Sequence, residues 1–368
     1  MILPVLQSQN NATLNTSCEP CVFLKACGGY RNQGLFNCFQ LHCCGGKDDC
    51  DEVCPRNKDF ISRIAAIHGL RFDNLKQIKQ KRVRTPLYVP HLNHRYSRNY
   101  PLSWPIVSLT PYELFRIRKG IYTPVANTKD ELRSRFHLDA NTRVILRGTD
   151  KDKRLELYWS HRRRDQAPQH LANLGIELVI GPNFSHCIDV PRTDNLYNRK
   201  RQLICLSEMQ EAGLNVAPHL GDAEHGDWDF WRGYIRDNPS ITHVAKEFQT
   251  GNKPIEIARD VLGKIDSIQQ HVGRAIHPIL IGGSPLVEDA SNVFERFTVL
   301  DSRPFMGAIN RQSFQANGRR PKWISDPTLP SIGIDNILIN NIGKYASWLQ
   351  FRSKTRSALK YPRHRRVG

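Results

Sequence analysis

Eight of the ten cysteines fall in one short window: Cys18, Cys21, Cys27, Cys38, Cys43, Cys44, Cys50 and Cys54. Thiols at this density either cross-link as disulfides or bind metal. The start of the chain, MILPVLQSQNNATLNTSC, lacks the basic stretch and long apolar run of an export signal. A cytoplasmic location is therefore expected, where thiols stay reduced. So short a window buries too little apolar surface to fold by itself, and thiolate–metal bonds supply the missing free energy. Eight thiolates suit two four-cysteine zinc sites or one compact binuclear site, so zinc is the expected cofactor. An iron–sulfur cluster is the alternative. Cys50-x3-Cys54-Pro55 resembles the Cys-Pro that closes ferredoxin-type runs, but the tight CxxCxxC core is missing.

A second chemistry is suggested by polar residues that follow short apolar runs. Asp150 follows RVILRGT, Asn183 follows IELVIGP, and His219 and Asp222 follow LNVAP. Glu247 closes ITHVAKE and Asp301 closes FTVLD. Carboxylates and imidazoles of this kind do general acid/base work or hold a metal. The catalytic candidates are these six residues. Each alone also has a structural explanation as a helix cap or loop residue, so the expectation concerns their convergence. Gly282-Gly283-Ser284 after HPILI would offer backbone N–H groups to a phosphate or carboxylate.

The third feature is charge. The chain carries 53 Lys and Arg against 35 Asp and Glu, a net +18. Residues 71–100 hold eight Lys or Arg against one acid, and residues 351–368 hold seven against none. Basic linkers and tails track phosphates, so nucleic acid is the expected partner. The expected contacts are Lys79, Lys81, Arg82 and Arg84 in the linker, Arg199 and Arg201 at a helix start, and Arg363, Arg365 and Arg366 in the tail. No run approaches the roughly 18 apolar residues of a membrane span, so no membrane partner is expected.

These residues need elements to hold them. From about residue 106 short apolar runs alternate with helical stretches, six or seven times. They read as PIVSLT, RVILRGTD, IELVIGPNFS, LNVAPHLGD, ITHVAKEF, HPILIGGS and FTVLDS. Continuous apolar strands alternating with helices predict a parallel α/β sheet with helices outside. The number of repeats predicts a (β/α) barrel-like parallel sheet, complete or incomplete, preceded by the small Cys-rich metal-binding module; an open doubly wound sheet is the alternative. In a barrel, all six candidates would meet at the C-terminal ends of the strands. The expected organisation is a Cys-rich module over 1–57, a helix and basic, aromatic linker over 58–105, the barrel-like domain over 106–330, and a C-terminal helix with basic tail over 331–368.

One stretch is more specific than its chemistry. GPNFSHCIDVPRTDNLYNRKRQ, followed by AGLNVAPHLGD, resembles the "PDFS…P…N…R…G-I-x-V-I-P" run of an uncharacterised barrel family of bacteria and mobile elements, a domain of unknown function. The likeness covers about 140–280. The family's run has Asp where this chain has Asn183, and the family brings no reaction with it. A barrel, a cysteine–metal module and basic arms are also similar, in architecture alone, to tRNA-guanine transglycosylases, whose metal cysteines follow the barrel instead of preceding it.

The expected function is therefore a nucleic-acid-associated barrel protein, an enzyme acting on nucleic acid or a nucleotide-derived base. The alternatives are a non-catalytic nucleic-acid-binding subunit and a small-molecule barrel enzyme.

Overall fold

A computed structural model describes residues 50–54, 57–94, 98–223, 225–327 and 332–354, with two short strands near the N-terminus. Cys18, Cys21, Cys27, Cys38, Cys43 and Cys44, and Arg363, Arg365 and Arg366, lie outside the described residues.

The described elements run in the following order. An antiparallel pair, β1 (Val5–Gln7) and β2 (Thr13–Asn15), comes first. Helix α1 (Phe60–Ala66) and strands β3 (Tyr88–Pro90) and β4 (Ile106–Leu109) follow. Next come the hairpin β5 (Phe115–Arg118) and β6 (Ile121–Pro124), then α2 (Lys129–Arg135) and β7 (Arg143–Arg147). Helices α3 (Asp152–His161) and α4 (Ala167–Ala172) lead to β8 (Leu178–Ile180). Then α5 (Arg192–Glu211), β9 (Val216–Ala217), α6 (His225–Asp237) and β10 (His243–Glu247) alternate. The alternation continues through α7 (Ile255–Val272), β11 (His277–Ile281), α8 (Val287–Val293), β12 (Thr298–Asp301) and α9 (Arg303–Ile309). A hairpin, β13 (Gln312–Asn317) and β14 (Arg320–Ser325), precedes α10 (Asp335–Lys354). None of the described helices is long and apolar enough to cross a membrane.

The α/β class with parallel sheets and helices is as the alternation predicts. The hydrogen-bonded ladders form two four-stranded parallel sheets, β4-β7-β8-β9 and β10-β11-β12-β3. They do not form one closed ladder. The sheets meet at two single parallel bridges, His91 to Ser108 and His219 to Ala245. Each seam falls beside a proline, Pro90 in β3 and Pro218 just after β9. Proline has no N–H to donate, so a ladder cannot run on through it. At the second seam Ala245 N–H donates to the Pro218 carbonyl at 2.8 Å, and Leu220 N–H to the Ala245 carbonyl at 2.7 Å.

Side chains alternate across these strands. One set forms a single apolar cluster to which every one of the eight parallel strands contributes. It includes Val89, Ile106, Ile145, Leu178, Ala217, Ala245, Ile279 and Leu300. The other set, among them Val107, Val144, Val179, Val244 and Val299, packs outward against the helices. Burial on both faces explains why the strands read as unbroken apolar runs.

The sheet starts earlier than residue 106. Tyr88–Pro90, inside the stretch expected to be linker, pairs with β12 in register Val299–Tyr88, Leu300–Val89 and Asp301–Pro90. Three residues flanked by bases and prolines give too short a period to stand out from their surroundings.

The residues before β3 are also fixed. Gln80 lies under the N-terminal strand ends. Its Nε2 donates to the carbonyls of Val216 (2.9 Å) and His243 (3.0 Å), and its Oε1 accepts from Thr242 and His243 N–H, both at 2.8 Å. Lys81 N–H donates to Asn215 Oδ1 at 2.8 Å, and Asn215 donates back to the Lys81 carbonyl at 3.1 Å. Val83 completes the inner apolar cluster. The basic segment is thus a strap across the N-terminal end of the sheets.

Candidate active site

Because all eight strands run parallel, the six candidate residues all sit at the C-terminal ends of their strands. Their side chains do not share one face. Alternation places inner residues at Ile145, Ala217 and Ala245, and two positions further along each strand stand Arg147, His219 and Glu247. Thr149 continues the same inner row on β7, and His91 follows Val89 on β3. The inner face therefore changes from aliphatic to polar at its C-terminal rim. Its polar layer is His91, Ser108, Arg147, Thr149, His219 and Glu247.

Within this layer His91 is fully buried, and its Nδ1 lies 3.2 Å from Ser108 Oγ. Burial and the Arg147 charge hold the His91 pKa well below the usual imidazole range. Burial lowers the Arg147 pKa too, against the charges of Asp150, Glu247 and Asp301. Thr149 is 7% exposed and His219 5%. Among the described residues, Thr149 Oγ1, Arg147 Nε and both ring nitrogens of His219 have no hydrogen-bond partner. Buried polar groups are nearly always paired, and an orphaned one costs about 1–3 kcal/mol. These unpartnered donors and acceptors lie together on one rim, where water or a bound molecule would be within their reach.

His219 is uncharged near neutrality, because burial, then Lys246 and His186, push its pKa well below 6.5. His186, from the loop after β8, is pushed down to about 3 by burial and the Arg199 charge. Its Nδ1 lies 2.8 Å from the Phe184 carbonyl, and its Nε2 has no partner among the described residues. A Cβ on Gly221 would stand 2.6 Å from the His186 ring, so a glycine is needed there to admit the imidazole. Neutral imidazoles can accept a proton or donate one from the ring N–H. Glu247 Oε1 accepts from Gln249 N–H at 2.6 Å and Oε2 from Thr250 Oγ1 at 2.9 Å, which fixes its carboxylate at the rim.

The other candidates serve the frame. Asp150 accepts from Lys151 N–H (2.8 Å), Thr110 Oγ1 (3.2 Å) and Arg154 Nη1 (3.1 Å), at the start of α3. Asn183 Oδ1 accepts from Asp150 N–H at 3.1 Å and so ties the β7 and β8 ends together. Asp222 pairs with Lys246 and accepts from Trp228 Nε1 at 3.1 Å, on the helix side of the sheet. Asp301 faces α10, accepting from Tyr345 Oη at 2.8 Å and pairing with Arg303 at 2.8 Å.

The basic candidates divide sharply. Lys79, Lys81, Arg82 and Arg84 are exposed on the strap, at the end of the sheets opposite the polar layer. Arg199 is fully buried, 2.6 Å from Asp227, with its guanidinium over Phe230. Arg201, 5% exposed, pairs with Glu156 at 2.6 Å and lies over Phe184 and Tyr197. Both arginines therefore serve the interior of the protein. The motif run around them is one structural unit. Asn198 Nδ2 donates to the Ser185 carbonyl at 2.8 Å, and Asn195 exchanges bonds with Cys187 at 3.1 and 2.8 Å, fastening the loop after β8 onto α5.

His91 and Arg147 escaped the sequence reading. The available signal was spacing: Ile145-x-Arg147-x-Thr149 places a cation two residues after an inner aliphatic on an otherwise buried strand.

Of the cysteine module, Cys50 and Cys54 are described. Val53 between them donates its N–H to Asp194 Oδ1 at 2.8 Å, and its carbonyl accepts from Thr193 Oγ1 at 2.5 Å. Residues 50–54 therefore join the parallel sheets at the start of α5, on their C-terminal side. Among the described residues, no group of three or more His, Cys, Asp or Glu is arranged to hold a metal ion. Neither the protein families nor the curated proteins compared with this chain include a match to it.

Proposed function

We propose that the eight parallel strands work as a barrel and that the protein is an enzyme acting on nucleic acid, or on a base derived from it, at the polar rim of that barrel. The two bridges beside Pro90 and Pro218, and an inner cluster drawn from all eight strands, support the ring. The observation that carries the reading is His219: an inward, 5% exposed imidazole with neither nitrogen partnered among the described residues. In this reading neutral His219 and His186 move protons, Glu247 is the fixed carboxylate, and Arg147 binds a negative group of substrate. The cysteine module, carrying zinc or an iron–sulfur cluster, attaches at the same end and presents the strand to the rim.

The test is to incubate the full chain with single- and double-stranded DNA and RNA and read products by mass spectrometry. His219→Gln and Glu247→Gln are expected to keep binding and lose product. Wild-type protein that binds but never converts any of the four substrates would overturn the catalytic reading. The second reading is a non-catalytic binding subunit. It is favoured by one observation, the exposed row Lys79, Lys81, Arg82 and Arg84 at the far end from the rim.

A further inference from the structure

Beside Glu247, at the ends of β10, β11 and β12, lies a cleft of about 340 Å³. It belongs to neither the polar layer nor the strap. Phe248, buried at 5% exposure, and Leu286 supply apolar walls, with Ala258 from the first turns of α7 behind them. Gln249, Asn252, Lys253 and Arg303 supply the polar lining. The loop that carries the first three is tied to Glu247: Gln249 N–H and Thr250 Oγ1 donate to its carboxylate at 2.6 and 2.9 Å, and Asn252 Nδ2 donates to its backbone carbonyl at 3.3 Å. Gly282 (φ +71°) allows the arrangement. A Cβ there would stand 2.3 Å from Gln249 Cγ, so any larger residue would displace Gln249 from its place.

The chemistry of this lining is specific in two respects. Apolar lining flanked by the primary amides of Gln249 and Asn252 suits a heterocycle, which rests against the apolar side and hydrogen-bonds along its edge. The cations suit a phosphate. Arg303 is held in place by Asp301, with Nε to Oδ2 at 2.9 Å, and also donates to Ser284 Oγ. Lys253 is exposed and has no carboxylate partner among the described residues, so its charge is available to a ligand. A volume of about 340 Å³ lies at the small-ligand end of the range for such sites.

We infer that this cleft binds one nucleoside monophosphate unit, with the base against the apolar lining of Phe248 and Leu286 and the phosphate at Lys253 and Arg303. The inference rests on the proposed function and supplies its substrate subsite. The unit can be a free nucleotide or one residue of a strand, and the two sources share this chemistry.

Titration calorimetry on the full chain tests it, using the four nucleoside 5′-monophosphates, the matching nucleosides, inorganic phosphate and a short single-stranded oligonucleotide. At least one monophosphate is expected to bind at least tenfold more tightly than its nucleoside or phosphate alone. Lys253→Glu and Asn252→Leu should each weaken it tenfold or more; both change partly or fully exposed side chains, so the fold should survive, as circular dichroism would verify. Competition between monophosphate and oligonucleotide assigns the site to a residue of a strand, and independent binding assigns it to a free nucleotide. Monophosphates that do not bind, or that bind both variants as tightly as wild type, overturn the inference. In that case an oligonucleotide whose conversion still depends on His219 leaves the broader function standing, and an oligonucleotide that neither binds nor reacts removes both.

Discussion

Asp227 holds Arg199 at 2.6 Å with both side chains sealed from solvent. The same carboxylate accepts from Arg192 at 2.7 Å and from Ala223 N–H at 2.7 Å. A buried pair of this kind adds little to stability as a whole, but removing one partner strands the other charge. Asp227→Asn is therefore expected to cost about 3–5 kcal/mol. Urea unfolding of the variant beside wild type measures it. A loss below about 1 kcal/mol would mean that water reaches Arg199 and that the pair is not sealed.

The same residue shows where sequence reasoning stops. A helix starting RTDNLYNRKRQ presents its charges to solvent only if nothing covers that side. Here α6 covers Arg199 with Asp227 and Phe230, and α1 with the adjoining Ile67 covers another side, through Phe60, Ile64 and Ile67 packed on Tyr197 and Ile204 of α5. Lys200 is consequently turned onto the end of α1, donating to the carbonyl of Gly69 at 2.6 Å. No periodicity within α5 announces the arrival of a helix more than a hundred residues away. The parallel class was legible because two-sided burial writes itself as apolar runs, and the strand-end positions of Glu247 and His219 followed from it. The direction of each side chain did not follow, because one residue of register moves Asp301 from the inner face to α10.

The strap separates two roles of one segment. Gln80 makes buried bonds to Val216, Thr242 and His243, whereas Lys79, Lys81, Arg82 and Arg84 point outward. Gln80→Ala should destabilise the protein by about 2 kcal/mol, as several buried groups lose partners. Replacing the four bases together by Gln should leave the melting temperature within a degree or two. If the strap binds phosphates, that variant should flatten the log–log salt dependence of duplex DNA binding by about 0.9 for each phosphate no longer neutralised. An unchanged slope would remove the strap from the interface.

At the N-terminal end of the sheets, His243 and His277 stack with centroids 4.4 Å apart. Burial lowers His243 to about 4, and burial with the neighbouring His243 and Arg296 charges lowers His277 to about 3. Thr85 and Thr298 hydroxyls face His277 at 3.0 and 2.9 Å, and Thr242 Oγ1 faces His243 at 2.9 Å. Both rings fold in the neutral form. The unfolded chain binds protons below about pH 6.5 that the folded one refuses, so stability is complete above that pH and falls as pH drops toward 4 and 3. Each ring contributes a slope of up to about 1.4 kcal/mol per pH unit inside its window. His277→Gln, which keeps a side-chain hydrogen-bonding group, should flatten the decline of unfolding free energy between pH 6 and 4. An identical slope in wild type and variant would show that other groups control it.

The last prediction concerns the cysteine module and what depends on it. Residues 58–354 contain the inner cluster and the outer packing layer, and among the described residues the end of the module is joined to them by Val53, bonded to Asp194 and Thr193, and by Arg63, which donates to the Asp51 carbonyl. The helix that follows, α1, is held by apolar contacts with α5, and those contacts do not involve thiolates. Metal binding by the module should therefore be energetically separable from the parallel sheets. Purified full-length protein is expected to carry stoichiometric zinc or iron, bound by at least four of the eight thiolates from Cys18 to Cys54. Replacing Cys18 and Cys21 by Ser should lower that content, while the main unfolding transition moves by less than about 1 kcal/mol, because the apolar contacts that hold α1 on α5 do not depend on a metal. Elemental analysis and urea unfolding on the same preparation give both numbers. A chain without stoichiometric metal contradicts the first expectation. A large loss of global stability contradicts the second, and would place the thiolates inside the cooperative unit that also holds His219 and Glu247.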